Sequence, residues 1–167
     1  MSAGAFTLVE LAAVMVIMAI VAALAVPALS NVAATRRGYA ARQVLRDLSF
    51  ARERALNTGL RSWVIFTTSS NSYSVKAEPA GSPGRSNAVT LADPATGSNY
   101  TQLLNTGEFS GVTIASAVFD AGSEVGFDWQ GKPLNSSSTS LSSNGVVTLS
   151  GGSTITVYAG TGLIATP

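Results

Sequence analysis

The sequence predicts an α+β protein: a long N-terminal helix, first apolar and then amphipathic, packed on an antiparallel β-sandwich. Three observations carry this expectation. Residues 11–29 contain no charge, apolar residues recur at three- and four-residue spacing between 33 and 58, and beyond Gly59 the period drops to two.

Composition narrows the function before any motif is considered. The 167 residues carry 10 Lys+Arg against 9 Asp+Glu, with no Cys and no His. Without His, the commonest general base, triad chemistry and His-ligated metal are lost; without Cys, thiolate nucleophiles and Cys-held zinc are lost. Only isolated carboxylates remain as acid–base groups, so an enzyme is not expected, and neither is a cofactor. Charged residues make up 11% of the chain, against about a quarter in ordinary soluble domains, so apolar character is concentrated somewhere. The charge is also zoned. Residues 1–35 hold only Glu10, residues 36–61 hold seven Arg against Asp47 and Glu53 for a net +5, and residues 62–167 are net −3.

The first element is the apolar run LAAVMVIMAIVAALAVPAL at residues 11–29. Its nineteen residues fall within the roughly 17–25 that cross a bilayer as a helix. Pro27, near its far end, is tolerated there as a kink. A cleaved signal peptide is the competing reading, since Ala23, Ala25 and Ala28 offer small residues for a cut. Against it, residues 1–9 carry no Lys or Arg and Glu10 abuts the run. A carboxylate in or beside a membrane helix costs on the order of 2.5–3.5 kcal/mol and usually has a partner. Glu10 is therefore either solvated at headgroup level or paired with a cation from another copy.

Gly4-Ala5-Phe6-Thr7-Leu8-Val9-Glu10-Leu11, followed by the apolar run and Pro27, resembles the prepilin N-terminus of type IV pilins and type II secretion pseudopilins. In that family a leader is removed before a Phe that becomes N-methylated, a Glu stands fifth in the mature chain and a Pro twenty-second. Starting at Phe6 puts Glu10 fifth and Pro27 twenty-second, so one frame satisfies both. The resemblance implies a leader at 1–5, cleavage between Ala5 and Phe6 by prepilin peptidase, and methylation of Phe6. It further implies assembly through Glu10, which neutralises the Phe6 amine of a neighbouring subunit. Ala5 stands where the family usually has Gly. The leader MSAGA lacks the family's basic residues, so its start is expected further upstream or to have been trimmed. Charge bias alone, through Arg36 and Arg37, would leave the C-terminal part inside the cell. The resemblance implies the opposite orientation: a single-pass inner-membrane protein with its C-terminal domain in the periplasm.

The second element, residues 33–59, is an amphipathic helix with Ala41, Val44, Leu45, Leu48, Ala51, Ala55 and Leu56 on its apolar stripe. Gly59 supplies a left-handed C-cap. Joined to residues 6–32, the transmembrane and assembly half, it makes one helix over 6–58, roughly 80 Å long at about 1.5 Å per residue. Seven Arg could neutralise phosphates. Interspersed with Asp47 and Glu53, they read instead as a solvated face with local ion pairs.

The third element, residues 60–167, is β-rich. Residues 62–68 and 72–77 alternate around a turn at Ser69-Ser70-Asn71 and predict a hairpin. Residues 78–98 are rich in Pro, Gly, Ser and Asn and read as a long exposed loop. Further strands are expected at 100–104, 112–119, 125–128, 146–150, 154–159 and 163–165. The Ser-rich 135–140 and the Gly151-Gly152 pair read as inter-strand loops. Asp120, Glu124 and Asp128 are too widely spaced for a calcium loop and read as exposed turn charges.

This half, in the order Leu45-Arg46-Asp47-Leu48-Ser49-Phe50-Ala51-Arg52, Trp63-Val64-Ile65-Phe66, Val125-Gly126-Phe127-Asp128-Trp129-Gln130-Gly131-Lys132-Pro133, Ile155-Thr156-Val157 and Thr161-Gly162, resembles the GspH/FimT family of minor pilins and pseudopilins. That resemblance implies a structural subunit at or near the tip of a type II secretion pseudopilus, supporting protein export. The alternative is a minor type IV pilin of FimT/FimU kind, in pilus assembly or DNA uptake. The implied partners are other pilin or pseudopilin subunits, prepilin peptidase and the inner membrane. One branch of the family binds DNA through arginines near the C-terminus. Residues 160–167 here contain no basic residue, so nucleic acid is not an expected partner.

Overall fold

A computed structural model describes residues 7–166, with the side chains of residues 24–31 outside that description. The chain divides into two compact units, residues 1–35 and 36–167. Helix α1 runs Leu8–Thr58 and contributes to both.

In the first unit the described large apolar side chains are exposed, among them Leu8, Leu11, Val14, Ile17 and Val21. Among the described residues, no helix is long and apolar enough to cross a membrane. The apolar run of the sequence continues to Leu29, and the side chains of residues 24–31 are not described.

In the second unit α1 buries the predicted stripe: Ala41, Val44, Leu48, Ala51 and Ala55 are in the core, and Ala40 joins them. Each fully buried Val or Leu contributes about 1.5–3 kcal/mol, which is how an amphipathic helix is held in place. Leu45 is only partly buried and Leu56 is exposed, because they lie at the margins of the stripe. Gly59 ends the helix at φ 72°, its N–H donating to the Ala55 carbonyl at 3.0 Å.

Among the described residues, ten short strands form two antiparallel sheets. The larger contains β1 (Ser62–Thr67), β2 (Ser72–Ala77), β3 (Val89–Thr90), β4 (Thr101–Leu103), β6 (Glu124–Phe127) and β7 (Pro133–Leu134) in the order β3-β2-β1-β6-β7, with β4 also paired to β2. The smaller has β5 (Ile114–Val118), β8 (Gly145–Leu149), β9 (Thr154–Val157) and β10 (Ile164–Ala165) in the order β10-β9-β8-β5. The predicted hairpin pairs Ser62 with Ala77 through Thr67 with Ser72. Asn71 takes the left-handed conformation that closes it, at φ 49°. One hydrophobic cluster joins the helix (Val44, Leu48), the larger sheet (Val64, Val75, Phe127) and the smaller one (Val147, Leu149, Ile155).

Residues 78–98 are more ordered than the exposed loop expected from their composition. Glu78 is buried, accepting from Trp63 Nε1 at 3.1 Å and from the Gly84 N–H at 2.8 Å. Arg85 pairs with Glu124 and lies 5.3 Å from the Trp63 ring centroid. A buried carboxylate and a cation–π contact thus tie this loop to β1 and β6.

Candidate assembly site

Of the residues singled out for processing and assembly, Ala5 and Phe6 lie outside the described residues. Pro27 sits within α1, and its side chain is likewise outside the description. Glu10 is described. Thr7 and Glu10 form a capping box: the Thr7 N–H and Oγ1 both donate to Glu10 Oε2 at 2.9 Å, and the Glu10 N–H donates to Thr7 Oγ1 at 3.2 Å. The motif satisfies donors that every helix start leaves unpaired. It engages Oε2, and among the described residues Oε1 has no hydrogen-bond partner. Around it the helix exposes Leu8, Val9, Leu11 and Val14, so the carboxylate stands at the head of an uncovered apolar surface.

The arginines of α1 divide by role. Arg36 donates to the Ser110 carbonyl at 3.3 Å, and Arg52 donates to the carbonyls of Gly131 at 3.1 Å and Thr161 at 3.2 Å. Arg46 donates to Gln43 Oε1. Arg36 and Arg52 thus serve as donors to loop carbonyls and fix the helix to its domain.

Asp47 departs from the sequence expectation. Placed there on a solvated face, it is fully buried, accepting from Tyr73 Oη at 2.6 Å and Tyr100 Oη at 2.8 Å, with Gln43 Nε2 3.0 Å from each oxygen. Removal from water raises its pKa above the ordinary 3.8, partly offset by these hydrogen bonds and by Arg46. Burial raises both phenols as well, and the Asp47 charge beside them adds to the shift. The only sequence signal was its place: Asp47 adjoins Leu48, inside the stripe from Val44 to Ala51.

The remaining carboxylates organise turns. Asp120 accepts from Ser142 Oγ at 2.7 Å and Asn135 Nδ2 at 3.1 Å, and these bonds hold its pKa down to about 2. Asp128 Oδ1 accepts from the N–H groups of Gln130 at 2.9 Å and Lys132 at 2.8 Å. Glu124, expected as a turn charge, lies on β6 in its pair with Arg85. Among the described residues, no group of acidic side chains is arranged to hold a metal ion.

No protein-family model and no curated protein matches the chain. Solved structures do match in fold. A structure of the minor pseudopilin EpsH from the type 2 secretion system of Vibrio cholerae superposes with a TM-score of 0.56 at 10% identity, over 78% of this chain and 94% of that one. A crystal structure of the same pseudopilin gives 0.55 at 10% identity, over 77% and 90%. The α+β architecture, with a long helix and two antiparallel sheets, is therefore similar in fold to the minor pseudopilin EpsH.

Proposed function

We propose that the chain is a minor pseudopilin, a structural subunit at or near the tip of a type II secretion pseudopilus that supports protein export. The observation that carries this is the fold likeness, which takes in almost the whole of the EpsH chain. The helix that starts in exposed apolar side chains and ends in a domain core supports it, since filament packing needs both halves.

In this reading residues 1–5 are the leader, prepilin peptidase cuts between Ala5 and Phe6, and Phe6 is N-methylated. Residues 6–32 anchor the subunit in the inner membrane and then pack in the filament. Residues 33–59 attach the domain, and residues 60–167 form it in the periplasm, with the two sheets closing as a β-sandwich. Glu10 pairs through Oε1 with the amine of a neighbouring Phe6; in an apolar surrounding a carboxylate is stable only when paired. The protein acts by assembly and carries no catalytic step.

The test expresses the chain with prepilin peptidase and the other pseudopilus genes, then examines sheared fibres by mass spectrometry. The expected result is this chain in the fibres, starting at a methylated Phe6, and loss of secretion when its gene is removed. An intact Met1, a start near Leu29, or fibres and secretion indifferent to the chain would overturn the reading.

A further inference from the structure

Asn144 is the one asparagine of the chain that is followed by glycine. A backbone nitrogen can attack the side-chain carbonyl carbon of the asparagine before it, and glycine hinders that approach least because it has no Cβ. The fold requires glycine at 145, since a Cβ there would fall 2.2 Å from a ring carbon of buried Phe119. Gly145 is itself buried at the start of β8, whereas Asn144 is exposed to water.

Two contacts stand between the folded chain and this reaction. Gly145 is paired with Val157 in the antiparallel ladder of β8 and β9. Asn144 Oδ1 accepts from the Ala159 N–H at 3.1 Å. Ring closure turns both the Asn144 side chain and the peptide plane joining it to Gly145, so both contacts must release. Ala159 belongs to the loop between β9 and β10, which is closed by bonds from the Tyr158 N–H to the Leu163 carbonyl at 2.9 Å and from the Gly162 N–H to the Tyr158 carbonyl at 2.8 Å. Arg52 holds the tip of this loop from the helix, donating to the Thr161 carbonyl at 3.2 Å. Strand β10 is two residues long and forms an edge of its sheet. Elements with so few contacts open at less free energy than core strands.

We propose that Asn144 is a site of spontaneous deamidation, gated by local opening of the β9–β10 loop, which Arg52 keeps closed through Thr161. The Gly145 nitrogen, its proton lost to water, bonds to Asn144 Cγ; the Cγ–Nδ2 bond breaks and ammonia leaves, giving a five-membered succinimide. Water then opens the ring. Cleavage at Cγ gives aspartate, and cleavage at the backbone carbonyl carbon gives isoaspartate, whose main chain is one carbon longer. Aspartate keeps an oxygen for the Ala159 N–H. Isoaspartate displaces Gly145 from its place against Phe119 and from its register with Val157. The proposal stands independently of the filament reading.

The experiment incubates the purified full chain in detergent at mildly alkaline pH, beside the same chain unfolded in guanidinium, and follows each asparagine by peptide mass spectrometry. In the unfolded chain Asn144 should convert first, with isoaspartate among its products; in the folded chain its conversion should slow by about tenfold or more. Arg52→Ala should speed the folded reaction several-fold and leave the unfolded rate unchanged, while Tyr73→Phe, which loosens the helix elsewhere, should stay near the parent rate. Hydrogen exchange on the parent chain tests the gate without a variant: the Ala159 amide should open more often than the Val147 amide within β8. Aspartate without isoaspartate, or earlier conversion at another asparagine in the unfolded chain, would overturn the ring route. Equal folded and unfolded rates, a folded rate indifferent to Arg52→Ala or raised as much by Tyr73→Phe, or equal protection of Ala159 and Val147, would overturn the gate.

Discussion

The Tyr73 hydroxyl donates to Asp47 Oδ2 at 2.6 Å, joining strand β2 to helix α1 inside the core. Both residues are almost wholly buried, so neither has water as a substitute partner. Tyr73→Phe should lower stability by about 1.5–3 kcal/mol, the range for a hydrogen bond to a charged group. Tyr100→Phe should cost less, because Tyr100 retains some exposure and water can replace its hydroxyl. Denaturant unfolding followed by the fluorescence of buried Trp63 measures both; no loss in the Tyr73→Phe chain would show that the bond does not hold the helix.

Asp47 also sets a pH dependence. Its folded pKa is raised, so the folded state holds the proton more tightly than the unfolded chain does. Its contribution to stability is greatest below 3.8, declines as pH rises through the raised folded value, and is level above it. Asp47→Asn keeps an acceptor for one phenol and removes the buried charge. Its melting temperature should vary less with pH across that interval than that of the parent chain. An unchanged slope in thermal melts from pH 3.5 to 7 would place the titration elsewhere.

Asp120 acts with the opposite sign. Its pKa is held at about 2 against an ordinary 3.8, so its contribution is complete above 3.8 and is lost as pH falls towards 2. Asp120→Ala should remove that acid sensitivity and free the Ser142 amide, which now donates to the carboxylate at 3.2 Å. Hydrogen exchange at Ser142 should accelerate at pH 7, while exchange at Val147 in β8 stays near the parent rate.

Gly145 opens β8 directly against an aromatic ring. A Cβ there would lie 2.2 Å from a ring carbon of Phe119, which is fully buried. Gly145→Ala should destabilise the domain by about 1–3 kcal/mol or more through overpacking. Phe119→Leu in the same chain should recover part of that loss. Strict additivity in the double-mutant cycle would show that the two positions do not compete for space.

Glu10→Leu should leave the domain's melting temperature unchanged, since Glu10 lies in the first unit and takes no part in the core of the second. Membrane insertion should be kept or improved, and incorporation into fibres should fall. Glu10→Gln separates the two local roles: it preserves the capping-box geometry with Thr7 but lacks the charge for a neighbouring amine. Normal incorporation of the Leu variant would reduce Glu10 to a solvated residue that caps its own helix.

Much of the fold is legible because it follows from short-range pattern. The spacing of Val44, Leu48, Ala51 and Ala55 marks the buried face of α1. The alternation around Asn71 marks the hairpin of β1 and β2 within a residue. Strands β3 and β7 are not legible, being two residues long and created by pairing with existing edges, Lys76 with Thr90 and Phe127 with Pro133. The same holds for polar groups. On a helix dense in arginine a carboxylate reads as solvated, and the phenols that bury Asp47 stand 26 and 53 positions along the chain. Glu10 stands out in the sequence by its spacing from Phe6 and Pro27, whereas the clamp of Arg52 on two distant loops has no local sequence signature.

That clamp has a consequence for how the chain is made. Arg52 is among the earlier residues of the domain to emerge, yet its acceptors lie 79 and 109 residues later. Contacts of such long sequence separation form slowly, and during synthesis they cannot form until the last loop has appeared. The apolar face of α1 is thus complete long before its docking surface is. The unfinished chain carries a helix whose stripe from Val44 to Ala55 remains open, and a chain interrupted before Thr161 would deprive Arg52 of one of its two carbonyl acceptors.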